Sequence, residues 1–131
     1  TVHVDTSALI DALTGPRRAL DAMTAYVEDG HRMALSSIVL YEWLRGPRSK
    51  QELTAQDALF PREGIVGFGP EEAEAAARLY RTVRRPRGRE VDLAIAACAL
   101  VHEAALWTLN PADFEDITGL RLTNPRALRT R

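Results

Sequence analysis

The chain carries a single cysteine, Cys98, so no intrachain disulfide can form. Cys98 sits inside the apolar run Ala94-Ile95-Ala96-Ala97-Cys98-Ala99-Leu100, where a small buried core thiol is expected rather than a nucleophile. Histidine is nearly as scarce. His3, His31 and His102 share no ligand spacing with one another or with Cys98, which disfavours a zinc site and leaves all three as structural or surface residues. There is no glycine-rich phosphate loop, which argues against a nucleoside triphosphatase. No stretch of about 18 unbroken apolar residues occurs, so no membrane span is expected. The first residues hold no basic segment leading into a long apolar run, so no secretory leader is expected either. Net charge is also lacking: a formal −1 does not announce a nucleic-acid binder by overall charge. These absences together suit a cytoplasmic protein with no membrane attachment.

What is present is an ordinary globular composition. The 131 residues, 46% hydrophobic and 27% charged, fit one compact domain spanning 1–131. Val2-His3-Val4 is a short β-prone run that ends at Asp5-Thr6-Ser7, so a strand is expected to feed a helix from about Thr6 to Gly15-Pro16. Leu20, Met23 and Val27 follow helical spacing between Pro16 and Asp29, and Gly30 closes that segment. Met33-Ala34-Leu35 reads as a second strand. Ser36-Ser37 caps a helix that ends at Gly46-Pro47, and a weaker helix spans Ser49–Phe60. Ile65-Val66-Gly67-Phe68 reads as a third strand. Pro70 followed by Glu71, Glu72 and Glu74 opens a helix to about Val83, because proline fits the first turn and acids favour the positive end of the dipole. A further helix runs from about Glu90 to Glu103. Ala105–Leu109 is a fourth strand and Leu120-Arg121-Leu122 a weak fifth. Short strands alternating with helices predict a parallel sheet covered on both faces, in which ligands bind beyond the carboxyl ends of the strands.

Several acids stand at such positions. Asp5 follows the first strand; taken alone it would be a helix cap, but Thr6 and Ser7 can cap equally well, which leaves Asp5 free for other work. Glu42 projects from a helix whose neighbours Val39, Tyr41, Trp43 and Leu44 are mostly large and apolar, with Arg45 at i+3 as an ordinary ion-pair partner. Asp92 is the only charge within Val91–Val101, a helix apolar nearly all round and therefore buried on most sides. A buried carboxylate is costly unless paired, protonated or bound to a metal. Asn110 and Asp113 follow the fourth strand, where an Asn-Pro turn and a capped helical turn are the ordinary explanation. As a set these carboxylates converge on one edge of the sheet, and such a cluster needs a cation to be stable. All-oxygen ligands suit Mg²⁺ or Mn²⁺, and the chemistry such ions support is hydrolysis by activated water. Six arginines and no acid fall between Arg78 and Arg89. With Arg17, Arg18, Arg45 and Arg48 they are candidates to track a phosphate backbone, Arg45, Arg84, Arg85 and Arg87 foremost.

The segments Val4-Asp5-Thr6-Ser7, Ser36-Ser37-Ile38-Val39-Leu40-Tyr41-Glu42-Trp43-Leu44-Arg45-Gly46, Asp92-Leu93-Ala94-Ile95-Ala96-Ala97 and Trp107-Thr108-Leu109-Asn110-Pro111-Ala112-Asp113-Phe114 resemble, in order and spacing, the four signature blocks of PIN domains of the VapC toxin group. The resemblance spans about residues 2 to 123; no block is specific alone, but four in the right order are. It implies a three-layer α/β/α sandwich around a mostly parallel central sheet, and an endoribonuclease dependent on Mg²⁺ or Mn²⁺, acting as the toxin of a toxin–antitoxin pair. It also implies a cognate VapB-like antitoxin that pushes a basic side chain into the acidic pocket, an RNA substrate and a homodimer. Position by position, Asp5 and Asp92 match the principal metal ligands, and Glu42 completes the shell directly or through water. Thr6 and Thr108 match small hydroxyl positions that orient the site. Asn110 stands where a fourth acid often stands. Either Asn110 or Asp113 completes the set, and the number of metals stays open between one and two.

Other acidic-site proteins fit less well. A phosphatase of the haloacid-dehalogenase type needs a second Asp two residues after the first, where this chain has Ser7. A receiver domain expects paired acids near its start and a late lysine, whereas Lys50 is the only lysine. The alternative that survives is a catalytically idle PIN-like module that binds RNA or protein, favoured by Asn110 and disfavoured by the retention of Asp5, Glu42 and Asp92.

Overall fold

The computed structural model describes residues 1–124. Four parallel strands form its sheet: β1 (Val2–Val4), β2 (Met33–Ala34), β3 (Ala105–Trp107) and β4 (Leu122–Thr123), in the order β2-β1-β3-β4. Val2 pairs with Met33 on one side and Ala105 on the other, Val4 pairs with Trp107, and Trp107 pairs with Thr123. Every residue of β1 and β3 is buried, which requires cover on both faces of the sheet. Six helices accompany it: α1 (Thr6–Leu13), α2 (Leu20–Glu28), α3 (Ser37–Arg45), α4 (Lys50–Leu59), α5 (Pro70–Thr82) and α6 (Glu90–Val101). The architecture is the expected α/β sandwich.

Local chemistry sets the helix boundaries. Ser36 caps α3 through Val39 N–H at 3.3 Å, and Ser49 with Glu52 forms a reciprocal capping box at the start of α4. Glu72 reaches back to the Gly69 N–H at 2.8 Å and closes the first turn of α5. α1 stops at Leu13 because Gly15 adopts a φ of 55°, and Pro16 and the left-handed Arg17 (φ 54°) delay α2 until Leu20. In α6 the residues Leu93, Ile95, Ala96, Ala97, Cys98 and Ala99 are all buried, so the helix has no solvent stripe beyond its ends, as its composition requires.

Two strand expectations need correction. Ile65–Phe68 is not a strand. It makes one parallel bridge, Ser36 to Val66, held by Val66 N–H to the Leu35 carbonyl at 2.9 Å and Ser37 N–H to the Val66 carbonyl at 2.8 Å. β2 ends where Ser36 caps α3, so no further ladder partner remains, and Gly67, Gly69 and Pro70 do not sustain a strand. The last strand sits at Leu122–Thr123, slightly later than Leu120–Leu122, because Leu120 closes a turn back to the Ile117 carbonyl.

The chain first moves from β1 to β2 on one side and later returns to β3 on the other. The strand order therefore reverses between β1 and β3, and the crevice at their carboxyl ends is where this class of sheet places its ligands. Asp5 and Thr108 are the residues that follow those two strands. The Asp5 N–H donates to the Trp107 carbonyl at 3.0 Å, which ties the two strand ends together.

Candidate active site

Asp5 leaves β1 in extended conformation and serves as the N-cap of α1, its Oδ1 accepting from the Ala8 N–H at 3.0 Å and the Ser7 hydroxyl at 2.6 Å. The expectation that Thr6 or Ser7 would cap and release Asp5 is thus incorrect: the strand ends one residue earlier than a Thr6 cap requires. Capping consumes Oδ1 alone and fixes the orientation of the carboxylate. Only 4% of Asp5 is exposed, and this burial pushes its pKa up, with the Ser7 and Thr108 hydroxyls and the Ala8 N–H partly offsetting the rise.

Ser7 is the residue that sequence reasoning missed. Its hydroxyl donates to Asp5 and accepts the Leu109 N–H at 3.1 Å, so one side chain locks the ends of β1 and β3 in register with the carboxylate. No local signal could reveal a contact to a residue 102 positions away. Ser7→Ala is expected to cost about 1–2 kcal/mol, since both groups lose a partner. It is also expected to weaken Mn²⁺ binding about tenfold, the usual effect of removing a group that orients a ligand. Thermal denaturation and calorimetric titration check the two halves separately.

Glu42 projects from α3 toward α1. The Thr6 hydroxyl donates to its Oε1 at 2.5 Å, and Arg45 reaches its Oε2 at 3.4 Å. Glu42 is only 15% exposed along its side chain while Arg45 is 57% exposed, so the Thr6 contact is the fixed one and the arginine is a screened surface partner. Asp92 lies in the first turn of α6 and receives no hydrogen bond among the described residues. Its pKa is raised, first by burial, then by repulsion from Asp113, Glu42 and Asp5, with Arg89 opposing. Four carboxylates from four separate parts of the chain therefore share one electrostatic field.

Asn110 and Asp113 bound the short 3-10 turn Pro111–Asp113, and both are exposed. Asn110 gives no side-chain cap; its backbone N–H donates to the Thr108 hydroxyl at 3.0 Å. Asp113, not Asn110, supplies the negative charge that Asp92 feels from this turn. Thr108, 3% exposed, thus contacts both the turn and Asp5. A shallow groove lined by Thr108, Leu109, Pro111, Leu122, Thr123 and Asn124 opens beside it.

The arginines divide. Arg84, Arg85 and Arg87 are exposed on the segment that leads into α6 and the Asp92 end of the site. Arg48, by contrast, is committed elsewhere: its guanidinium stacks 4.0 Å above the Trp43 ring and its Nε donates to the Trp43 carbonyl at 2.8 Å, so it does not belong with the candidate phosphate contacts. Arg89 chelates Asp116. The histidines are structural or surface residues, as expected. His3 is buried and its pKa falls to about 4, chiefly from burial; His31 stacks on Tyr26; His102 pairs with Glu72 at 3.1 Å. Cys98 is a core thiol whose pKa burial pushes up to about 11.

Hard oxygen donors that repel one another are a donor set that a hard divalent cation fits. Among the described residues, no three acidic, histidine or cysteine side chains stand close enough to cage an ion.

Fold and side chains together define a parallel α/β protein that gathers carboxylates where its strand order reverses. The PIN-domain family model matches residues 2–120, and the chain belongs to that family. It is 34% identical over 113 residues to ribonuclease VapC19 of Mycobacterium tuberculosis, covering 85% of this chain and 90% of the relative. Its fold matches a toxin–antitoxin complex from Klebsiella pneumoniae with a TM-score of 0.73 and 29% identity, over 95% of this chain and 98% of the other. A DNA-bound VapBC from Salmonella typhimurium matches with a TM-score of 0.72 at 24% identity, over 95% and 98% of the two chains, a likeness of fold. No helix among the described residues is long and apolar enough to cross a membrane.

Proposed function

We propose that this chain is an endoribonuclease, the toxin of a type II toxin–antitoxin pair, and that it hydrolyses RNA phosphodiester bonds with the help of Mg²⁺ or Mn²⁺. The observation that carries the reading is the field at Asp92: a half-buried carboxylate without a hydrogen bond, repelled by Asp113, Glu42 and Asp5 at the crevice where such sheets bind ligands. Ribonuclease VapC19 supports the reaction class and the Klebsiella complex supports an antitoxin partner.

Asp5 and Asp92 hold the cation, Asp5 through the Oδ2 left over from capping. When bound, a divalent cation lowers the pKa of a coordinated water and stabilises charge on phosphate oxygens. Glu42 has Oε1 pinned by Thr6 and Oε2 screened by an exposed arginine, so it acts through water rather than as a direct ligand. Asp113 supplies the fourth carboxylate and Asn110 the turn that carries it. Thr108 and Ser7 keep Asp5 oriented. Arg84, Arg85 and Arg87 flank the Asp92 end and bind the backbone of the RNA, with exposed Arg45 on the Glu42 side. The negative site also fits a VapB-like antitoxin that inserts a basic side chain to silence it; the homodimer and the cytoplasmic location are part of the same reading and rest on the family resemblance alone.

The test is cleavage of total cellular RNA by the purified, antitoxin-free chain in Mg²⁺, in Mn²⁺ and in excess EDTA. Fragments that appear with either metal and vanish with EDTA are expected. Folded protein that yields no fragments in any metal contradicts the nuclease and leaves the idle binding module, favoured by Asn110, as the account.

A further inference from the structure

Arg89 is the last residue before α6 and lies three positions ahead of Asp92. Its guanidinium makes a two-pronged contact with Asp116, Nη1 to Oδ2 at 2.8 Å and Nη2 to Oδ1 at 2.7 Å. Nη2 also donates to the backbone carbonyl of Asp113 at 3.0 Å. The fork therefore grips both the end of the 3-10 turn and the acid three residues beyond it. A planar guanidinium held at three points fixes orientation in a way a lysine ammonium cannot. Behind the turn, Phe114 (2% exposed) and Ile117 (3%) sink into the core, one constraint on its placement. Arg89 supplies a second constraint, across 24 to 27 residues of sequence.

The geometry points to Arg89 as a positioning residue: by holding Asp116 and the Asp113 carbonyl, it rotates the Pro111–Asp113 turn so that the Asp113 carboxylate faces Asp92 and completes the metal site. This inference rests on the metal-dependent reading above. It differs from a plain surface ion pair, because Asp116 is 45% exposed and an isolated pair there would do little beyond small changes in stability. Arg89 does not meet the ion. It acts through Asp113, and its charge also moderates the repulsion that Asp113 imposes on Asp92.

Calorimetric titration of Mn²⁺ into the metal-free full chain tests this with Arg89→Lys, Asp116→Asn, Asp113→Asn and the Asp113→Asn/Asp116→Asn pair. Arg89→Lys keeps every formal charge and loses only the fork. Arg89→Lys and Asp116→Asn are each expected to weaken Mn²⁺ binding about tenfold, the scale of other groups that orient ligands. Adding Asp116→Asn to Asp113→Asn is expected to change the affinity less than twofold, since the effect runs through Asp113. Asp116→Asn binding as tightly as wild type, or costing its full tenfold without the Asp113 carboxylate, would overturn the inference while leaving the metal site standing. Wild-type protein that takes up no Mn²⁺ overturns the metal site itself, and this inference with it.

Discussion

Asp92→Asn is expected to lower RNA cleavage about 10³-fold while making the metal-free protein more stable. The loss follows from removing a carboxylate we propose as a principal ligand: a cation at the reacting phosphate contributes several kcal/mol to the transition state, and about 4 kcal/mol is three decades of rate. The gain follows from the same carboxylate viewed without metal. Its pKa is raised in the folded state, so the folded chain holds that proton more tightly than the unfolded chain does. The stability this contributes is fully present below the ordinary Asp value of 3.8 and is lost as pH rises through the raised value. Asparagine keeps the shape and never ionises. The Tm of Asp92→Asn in EDTA should therefore match wild type near pH 4 and exceed it by about 2 °C at pH 7, a modest figure because Asp92 is partly exposed and water screens the repulsion. Full cleavage by the variant, or a Tm below wild type at pH 7, would mean that Asp92 is a structural cap of α6.

At Asp5 the two effects separate. Asp5→Asn and Asp5→Ala are both expected to reduce cleavage by about 10³-fold, because each removes the charge of a proposed ligand. Only Asp5→Ala should also destabilise the fold, by about 1 kcal/mol, because it deletes the N-cap of α1 while asparagine caps as well as aspartate. Alanine also strands the Ser7 hydroxyl beneath the β1–β3 junction. Cleavage assays paired with denaturant melts of the two variants measure this. Equal stability of both would show that the α1 cap is supplied by another group, and residual cleavage by Asp5→Asn near the wild-type rate would remove Asp5 from the ligand set.

These positions differ in how visible they are along the chain. Asp92 stands out because one charge in an apolar helix is a local anomaly, and its energetic cost can be judged without knowing any neighbour. Asp5 stands out as an acid at a strand end, yet its double role does not: Asp5, Thr6 and Ser7 are all good caps, and where β1 releases the chain decides among them. Ser7 and Arg89 are invisible in sequence because their meaning lies in partners 102 and 24–27 residues away. Arg48 misleads for the same reason, an arginine in a basic context that turns inward to cover Trp43. Ile65–Phe68 has strand composition but no partner to pair with, since the neighbouring chain has already turned into α3. Residue chemistry and period identify elements and the acids at their ends; the hydroxyls and guanidinium groups that aim those acids emerge only when the sheet order brings distant segments together.

We propose that Asp5 and Asp92 together hold the divalent ion on which RNA cleavage depends. A crystal of the antitoxin-free chain soaked in Mn²⁺ tests it most directly through the anomalous signal of the metal. A peak is expected in the crevice beyond β1 and β3, about 2.0–2.2 Å from carboxylate oxygens of Asp5 and Asp92, with Glu42 reached through water. No peak there at saturating Mn²⁺, or a peak bound by other residues, would contradict it.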